Sequence, residues 1–137
     1  MAKILIVEDD EVLSRMYQKK ITLEGYQVVA AYSGEEGLEK VVQENPDLIL
    51  LDIMMPGIDG FEVIKRMRAD STLKDIPIII LTNLGTSDVF IDEARMLGVK
   101  NYLVKYKTST NDVIEKIKRN WGQNNNVAKQ QRNVDKQ

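Results

Sequence analysis

Five residues able to do chemistry each stand where an apolar run stops. Glu8 and Asp9 follow ILIV at 4–7, Asp52 follows LILL at 48–51, Thr82 follows IIIL at 78–81, and Lys105 follows YLV at 102–104. Taken singly, each has a plain structural reading: an acidic helix cap, a solvated strand end, a turn cap and a surface charge. Brought together they would be something else. Two unit charges about 4 Å apart repel by roughly 4 kcal/mol at an effective dielectric near 20, so three converging carboxylates demand a cation among them. The chain has no histidine and no cysteine, which removes the usual zinc ligands and the histidine-based nucleophile systems. Any metal must be held by oxygen, and Mg²⁺, which favours one or two carboxylates plus a phosphate oxygen, is the natural choice. With Lys105 as a second positive charge and Thr82 as a hydroxyl donor, the set suits a phosphoryl group, and Asp52 is the candidate nucleophile for an aspartyl phosphate.

The elements that would position these residues are legible in the apolar pattern. Runs of four or so apolar residues bounded by turn signals read as strands covered on both faces, the habit of parallel sheets; a further run, VVAA, lies at 28–31. Between the runs lie segments of helical period. The first carries Val12, Leu13, Met16 and Ile21 and ends at Gly25; the second opens at Ser33 with Glu36 three residues on, a capping box, and stops before Asn45 and Pro46. The third places Phe61, Ile64 and Met67 after Asp59 and Gly60. The fourth runs from about Ser87 with Phe90, Ala94 and Leu97 on one face and Gly98 beyond its end. The fifth starts near Ser109 or Thr110 and aligns Val113, Ile114, Ile117 and Trp121.

Strand and helix alternate five times, which predicts an α/β fold: a flavodoxin-like (βα)5 arrangement, a doubly wound five-stranded parallel sheet. In strand order 2-1-3-4-5 the carboxyl ends of strands 1, 3, 4 and 5 share one edge, where ligands of such folds bind. Spacing alone does not dictate that order.

With 137 residues the chain suits one domain burying roughly two-thirds of its unfolded surface. Its formal net charge of −2 without a long basic run argues against direct nucleic-acid binding. The absence of cysteine and of any long apolar run predicts a soluble, cytoplasmic protein with no membrane insertion. After Trp121 the segment GQNNNVAKQQRNVDKQ has no core-building period and reads first as a disordered tail, with a helix 5 extension, a docking peptide or the start of a longer linker as the alternatives; by itself it is too short for an output domain.

The segments ILIVEDD (4–10), DLILLDIMMPGIDG (47–60), PIIILT (77–82) and YLVK (102–105), in this order and at these separations, closely resemble the receiver domain of response regulators in two-component signalling. The resemblance covers about residues 2–121, with 122–137 as the tail. It implies that Asp52 is the phosphoacceptor and that Asp9 holds Mg²⁺ (or Mn²⁺) directly, with Glu8 acting through water. Asp52 itself and the backbone carbonyl of Met54 would complete the metal ligands. Thr82 and Lys105 would bind the phosphoryl oxygens, and Tyr102 would be an aromatic switch whose ring turns inward as Thr82 moves. Such a switch is a two-state equilibrium biased by a local charge. A histidine kinase or histidine phosphotransfer protein would donate in trans. A downstream protein effector would read the face of helix 4, strand 5 and helix 5. The chain is expected to act as a single-domain regulator, monomeric or forming a phosphorylation-dependent dimer, and not as an enzyme beyond its own phosphorylation and slow dephosphorylation.

The pattern departs from the family where Tyr106 follows Lys105 in place of the usual proline. A cis bond before a non-proline residue costs about 3–4 kcal/mol, so either a trans bond with a rebuilt loop or a packed cis bond is expected. Asn83 stands where a small residue is common, and Met54 and Leu84 add apolar bulk that would slow hydrolysis. Two other classes compete. A phosphatase working through an aspartyl phosphate would want a second acid at Met54. A degenerate receiver or flavodoxin-like scaffold would bind partners without phosphate, but the EDDE run (8–11) would repel a flavin phosphate.

Overall fold

The computed structural model describes residues 2–83, 88–105 and 109–120. Leu84, Ser87, Tyr106, Trp121 and the tail at 122–137 lie outside the described residues, and with them the expectations for the Lys105–Tyr106 bond and for bulk at Leu84. Five strands, β1 (Lys3–Val7), β2 (Gln27–Ala31), β3 (Leu48–Asp52), β4 (Ile78–Thr82) and β5 (Asn101–Val104), alternate with α1 (Glu11–Leu23), α2 (Gly34–Glu44), α3 (Gly60–Arg68), α4 (Asp88–Met96) and α5 (Thr110–Asn120). All pairings are parallel and the strand order is β2-β1-β3-β4-β5. The expected architecture and order are therefore both present.

Alternation along the strands sorts the core into two halves. Leu5, Val7, Ile49, Leu51, Ile78 and Ile80 pack on one face with Val41 of α2, Ile64 of α3 and Phe90 of α4. Ile4, Ile6, Leu48, Leu50, Ile79 and Leu81 pack on the other with Tyr17 of α1 and Ile114 of α5. β1, β3 and β4 are covered on both faces, which is why their sequences run apolar without interruption. β2 and β5 form the edges and are mostly half-buried.

The helix starts follow local capping chemistry. Asp10 caps α1 by accepting from the Val12 and Leu13 amides, and Asp59 caps α3 by accepting from the Glu62 amide. Ser33 accepts from the Glu36 amide, as the capping box predicts, but the Glu36 carboxylate reaches one residue further back and accepts from the Tyr32 amide. At α5 the box is reciprocal between Ser109 and Asp112. Asn45 ends α2 in the left-handed region at φ 46°, where asparagine is tolerated.

One boundary differs from the sequence expectation. Asp52 and Thr82 are the last residues of β3 and β4, not the first residues beyond them. The sheet extends because the Ile53 amide still donates to the Leu81 carbonyl and the Lys105 amide donates to the Thr82 carbonyl at 2.7 Å. Both side chains are buried as a result.

Candidate phosphoryl-transfer site

The parallel order places the exits of β1, β3, β4 and β5 side by side, and the strand-end residues meet there. Glu8, beyond β1, is 0 % exposed, Asp52 is 2 % exposed and Lys105, beyond β5, is 7 % exposed. These three are in step with Ile6, Leu50 and Leu103, so the alternation that buries those apolar side chains delivers the charges to the same end of the same face. Asp9 is exposed at the rim.

Lys105 is the charge partner of both buried acids. Its Nζ pairs with Glu8 Oε1 and lies 3.1 Å from Asp52 Oδ2. Glu8 Oε2 accepts from the Asp10 amide at 3.2 Å, and Asp52 Oδ1 accepts from the Met54 amide at 3.3 Å. Burial pushes the Asp52 carboxyl up to about 7, helped by the hydrogen bond and negative charge of Glu8; Lys105 opposes this only in part. Burial also works against the charge on Lys105, but the Glu8 hydrogen bond and the two carboxylates outweigh it and raise its titration, so it remains an ammonium.

One ammonium does not balance three carboxylates. One oxygen from each of Glu8, Asp9 and Asp52 lies within 4.8 Å of the others. Among the described residues, Glu8 Oε1 and Asp52 Oδ2 are buried without a well-directed hydrogen-bond donor, and both face the Lys105 ammonium. Ligand oxygens about 2.1 Å from an octahedral Mg²⁺ are about 3–4 Å apart, so the width, the all-oxygen donors and the uncompensated charge fit this ion. Glu8 is engaged by Lys105 and the Asp10 amide and Asp52 by Lys105 and the Met54 amide, which leaves the exposed Asp9 as the freest of the three carboxylates.

Thr82 is fully buried at the end of β4, opposite Val104, and its carbonyl ties it to Lys105. Tyr102 is half-buried, two residues earlier on β5 and opposite Ile80, so Tyr102 and Thr82 share a sheet face. The Tyr102 ring meets Phe90 edge-on at 6.1 Å, and Phe90 lies 5.6 Å from Phe61. This aromatic row joins β5 to α4 and α3; helical spacing gives Phe61 and Phe90 as core residues but does not show that they touch. Asn83 is exposed beside the site and Met54 is 58 % exposed. Glu35, which sequence reasoning does not single out, accepts from the Ile58 amide at 3.2 Å in the loop after Asp52; its only local signal is an acid in the first turn of a helix.

The family model of the response regulator receiver domain matches residues 4–118. The transcriptional regulatory protein AfsQ1 of Streptomyces coelicolor is 40 % identical over 105 residues, 77 % of this chain and 45 % of that protein. The response regulator PleD of Caulobacter vibrioides is 42 % identical over 83 residues, 61 % of this chain and 18 % of that protein. The chain thus spans less than half the length of these curated relatives. Among solved structures, the chemotaxis protein CheY4 of Vibrio cholerae superposes with a TM-score of 0.82 at 32 % identity, covering 88 % of this chain and 99 % of that one.

Proposed function

The chain belongs to the response regulator receiver family of two-component signalling, and from that premise we propose that it accepts a phosphoryl group on Asp52, with Mg²⁺, from a phosphohistidine donor in trans. Receiver domains work with histidine kinases and downstream effectors. The observation that carries the proposal is the buried Asp52 carboxylate held 3.1 Å from the Lys105 ammonium within the Glu8, Asp9 and Asp52 cluster.

Asp52 supplies the attacking oxygen. As its bond to phosphorus forms, the bond between phosphorus and the donor imidazole nitrogen breaks with its electron pair left on that nitrogen, and with one proton on the ring the leaving group departs as neutral imidazole, leaving an acyl phosphate on Asp52. Lys105 stands beside the attacking carboxylate and offers its charge to the incoming phosphoryl oxygens, while the Thr82 hydroxyl can donate to the same group. A bound Mg²⁺ would further neutralise those oxygens, held by Asp9, Asp52 and the Met54 carbonyl, with Glu8 acting through water. Phosphorylation would draw Thr82 toward the phosphoryl group, leave room for Tyr102 to turn inward, and so alter the α4, β5 and α5 face for a protein partner. We read the chain as a receiver of this kind, acting in the cytoplasm and without catalysis beyond its own phosphorylation and slow dephosphorylation.

Intact mass after incubation with acetyl phosphate and Mg²⁺ tests this directly. The expected result is one phosphoryl adduct that requires Mg²⁺ and is absent from Asp52→Ala. No adduct under conditions that label a control receiver, with acetyl phosphate and with a panel of phosphorylated kinases, would make the protein a phosphate-independent scaffold.

A further inference from the structure

The loop at 53–59 carries Met54 and connects Asp52 to the cap of α3. Its two ends are fixed: Asp52 belongs to β3, Asp59 accepts from the Glu62 amide at 2.9 Å, and the Gly60 amide closes the loop by donating to the Ile53 carbonyl at 2.8 Å. Between them the chain turns at Gly57, which has φ +81°, a conformation that L side chains rarely adopt. The turn lies directly under α2. A Cβ on Gly57 would sit 2.8 Å from Glu35 Oε1, and one on Gly34 would sit 2.6 Å from Ile58 Cγ1 and 2.8 Å from the Ile58 carbonyl oxygen. At Gly34 the α2 backbone therefore comes as close to the Ile58 backbone as glycine permits, while at Gly57 it is the Glu35 carboxylate that lies against the loop, reaching across this seam to the Ile58 amide. Its own backbone amide and that of Ile58 hold the Glu35 carboxyl below the usual carboxylate range, as expected of an acceptor whose ionised form is the bonded one.

We propose that Glu35 is a positioning residue for the metal site: its hydrogen bond to the Ile58 amide sets the turn of the 53–59 loop and thereby the place of Met54 beside Asp52. The proposal rests on the receiver reading above, in which the Met54 carbonyl is a Mg²⁺ ligand. The physical reason is leverage. Met54 is the exposed residue of the loop's first half and its amide already bonds Asp52, so a shift at 57–58 passes through a short span to the ligand. Groups that orient metal ligands without touching the ion change affinity markedly.

Calorimetric titration of MgCl₂ into the full chain, for the wild type, Glu35→Ala and Glu35→Gln, separates the possibilities. Loss of the bond in Glu35→Ala is expected to weaken Mg²⁺ binding about tenfold, whereas Glu35→Gln, whose side-chain carbonyl still accepts from Ile58, stays within about twofold of the wild type. Equal weakening in both variants would assign the effect to the bare charge and overturn the positioning role. An unchanged Mg²⁺ affinity in Glu35→Ala, with a lowered unfolding midpoint in EDTA, would make the bond merely structural and equally overturn it. Failure of the wild type to bind Mg²⁺ would overturn the receiver chemistry itself, and the role of Glu35 with it.

Discussion

The two sides of the site are built differently. On the α2 and α3 side, the loop after Asp52 buries Ile53 and Met55, threads beneath Gly34 and Gly60 without room for a methyl group, and is tied to α2 by Glu35. On the α4 and β5 side every residue of β5 is only half-buried, and a cavity of about 320 Å³ opens between Ile91, Ala94, Arg95, Val99, Lys100 and Tyr102. The first region is pinned at its glycine crossings, although a cavity of about 510 Å³ flanks Ile53, Met54, Met55, Pro56 and Asp59 on its outer side; the second has no such crossing among the described residues and has space to repack. That division suits a phosphorylation switch. Displacement of a nucleophile or metal ligand by a fraction of an ångström costs rate, while a face that reports a change needs two packings close in energy.

Substitutions on the two sides should separate them, from a large effect to a small one. The most severe strain on the rigid side is electrostatic. Because the Asp52 carboxyl is pushed up to about 7 from an ordinary 3.8 by burial and by Glu8, its contribution to stability is complete below about pH 4 and is lost as pH rises through about 7. In EDTA, Asp52→Asn should therefore be more stable than the wild type by on the order of 3 kcal/mol near pH 7.5 and nearly equal to it below about pH 4. Urea unfolding at both pH values measures this; a difference that does not change with pH would contradict it. Mg²⁺ should narrow the gap at the higher pH.

Gly60→Ala should have the next largest effect. The new Cβ would lie 2.5 Å from the Asp52 carbonyl oxygen and 2.8 Å from Ile53 Cα, both backbone atoms that cannot step aside. A loss of about 2–3 kcal/mol in urea unfolding is expected, together with slower acetyl phosphate labelling. On the open side, Tyr102→Leu removes an edge-on ring contact with Phe90 and should cost about 1 kcal/mol, leaving the labelling rate within about twofold. If Tyr102→Leu slowed labelling as strongly as Gly60→Ala, the two sides would not be separable in the way their packing implies.

Much of this protein is determined locally, and local determinants are visible in a sequence. Periodicity and capping residues are properties of neighbours along the chain, so five strands, five helices and the capping box at Ser33 are legible from the order of residues alone. The candidate residues Glu8, Asp9, Asp52, Thr82 and Lys105 are visible for the same reason, as polar groups ending apolar runs. Strand order comes only with the flavodoxin-like fold class, since spacing does not say which strands pair.

The rest depends on packing. Whether Asp52 is solvated or buried turns on whether β3 continues for one more residue, and the answer lies in the Ile53 amide's bond to Leu81 on the adjacent strand. That Lys105 serves Glu8 and Asp52 together, and that Phe61, Phe90 and Tyr102 touch in a row, requires elements far apart in the chain to arrive side by side. Glu35 is the sharpest case. By sequence it is one more acid in a helix's first turn, and only the contact of that turn with a loop 23 residues away makes it a partner of the site. Residue types and local spacing set what chemistry the chain holds; the tertiary structure sets which charges lose their water and which backbone groups they must then satisfy.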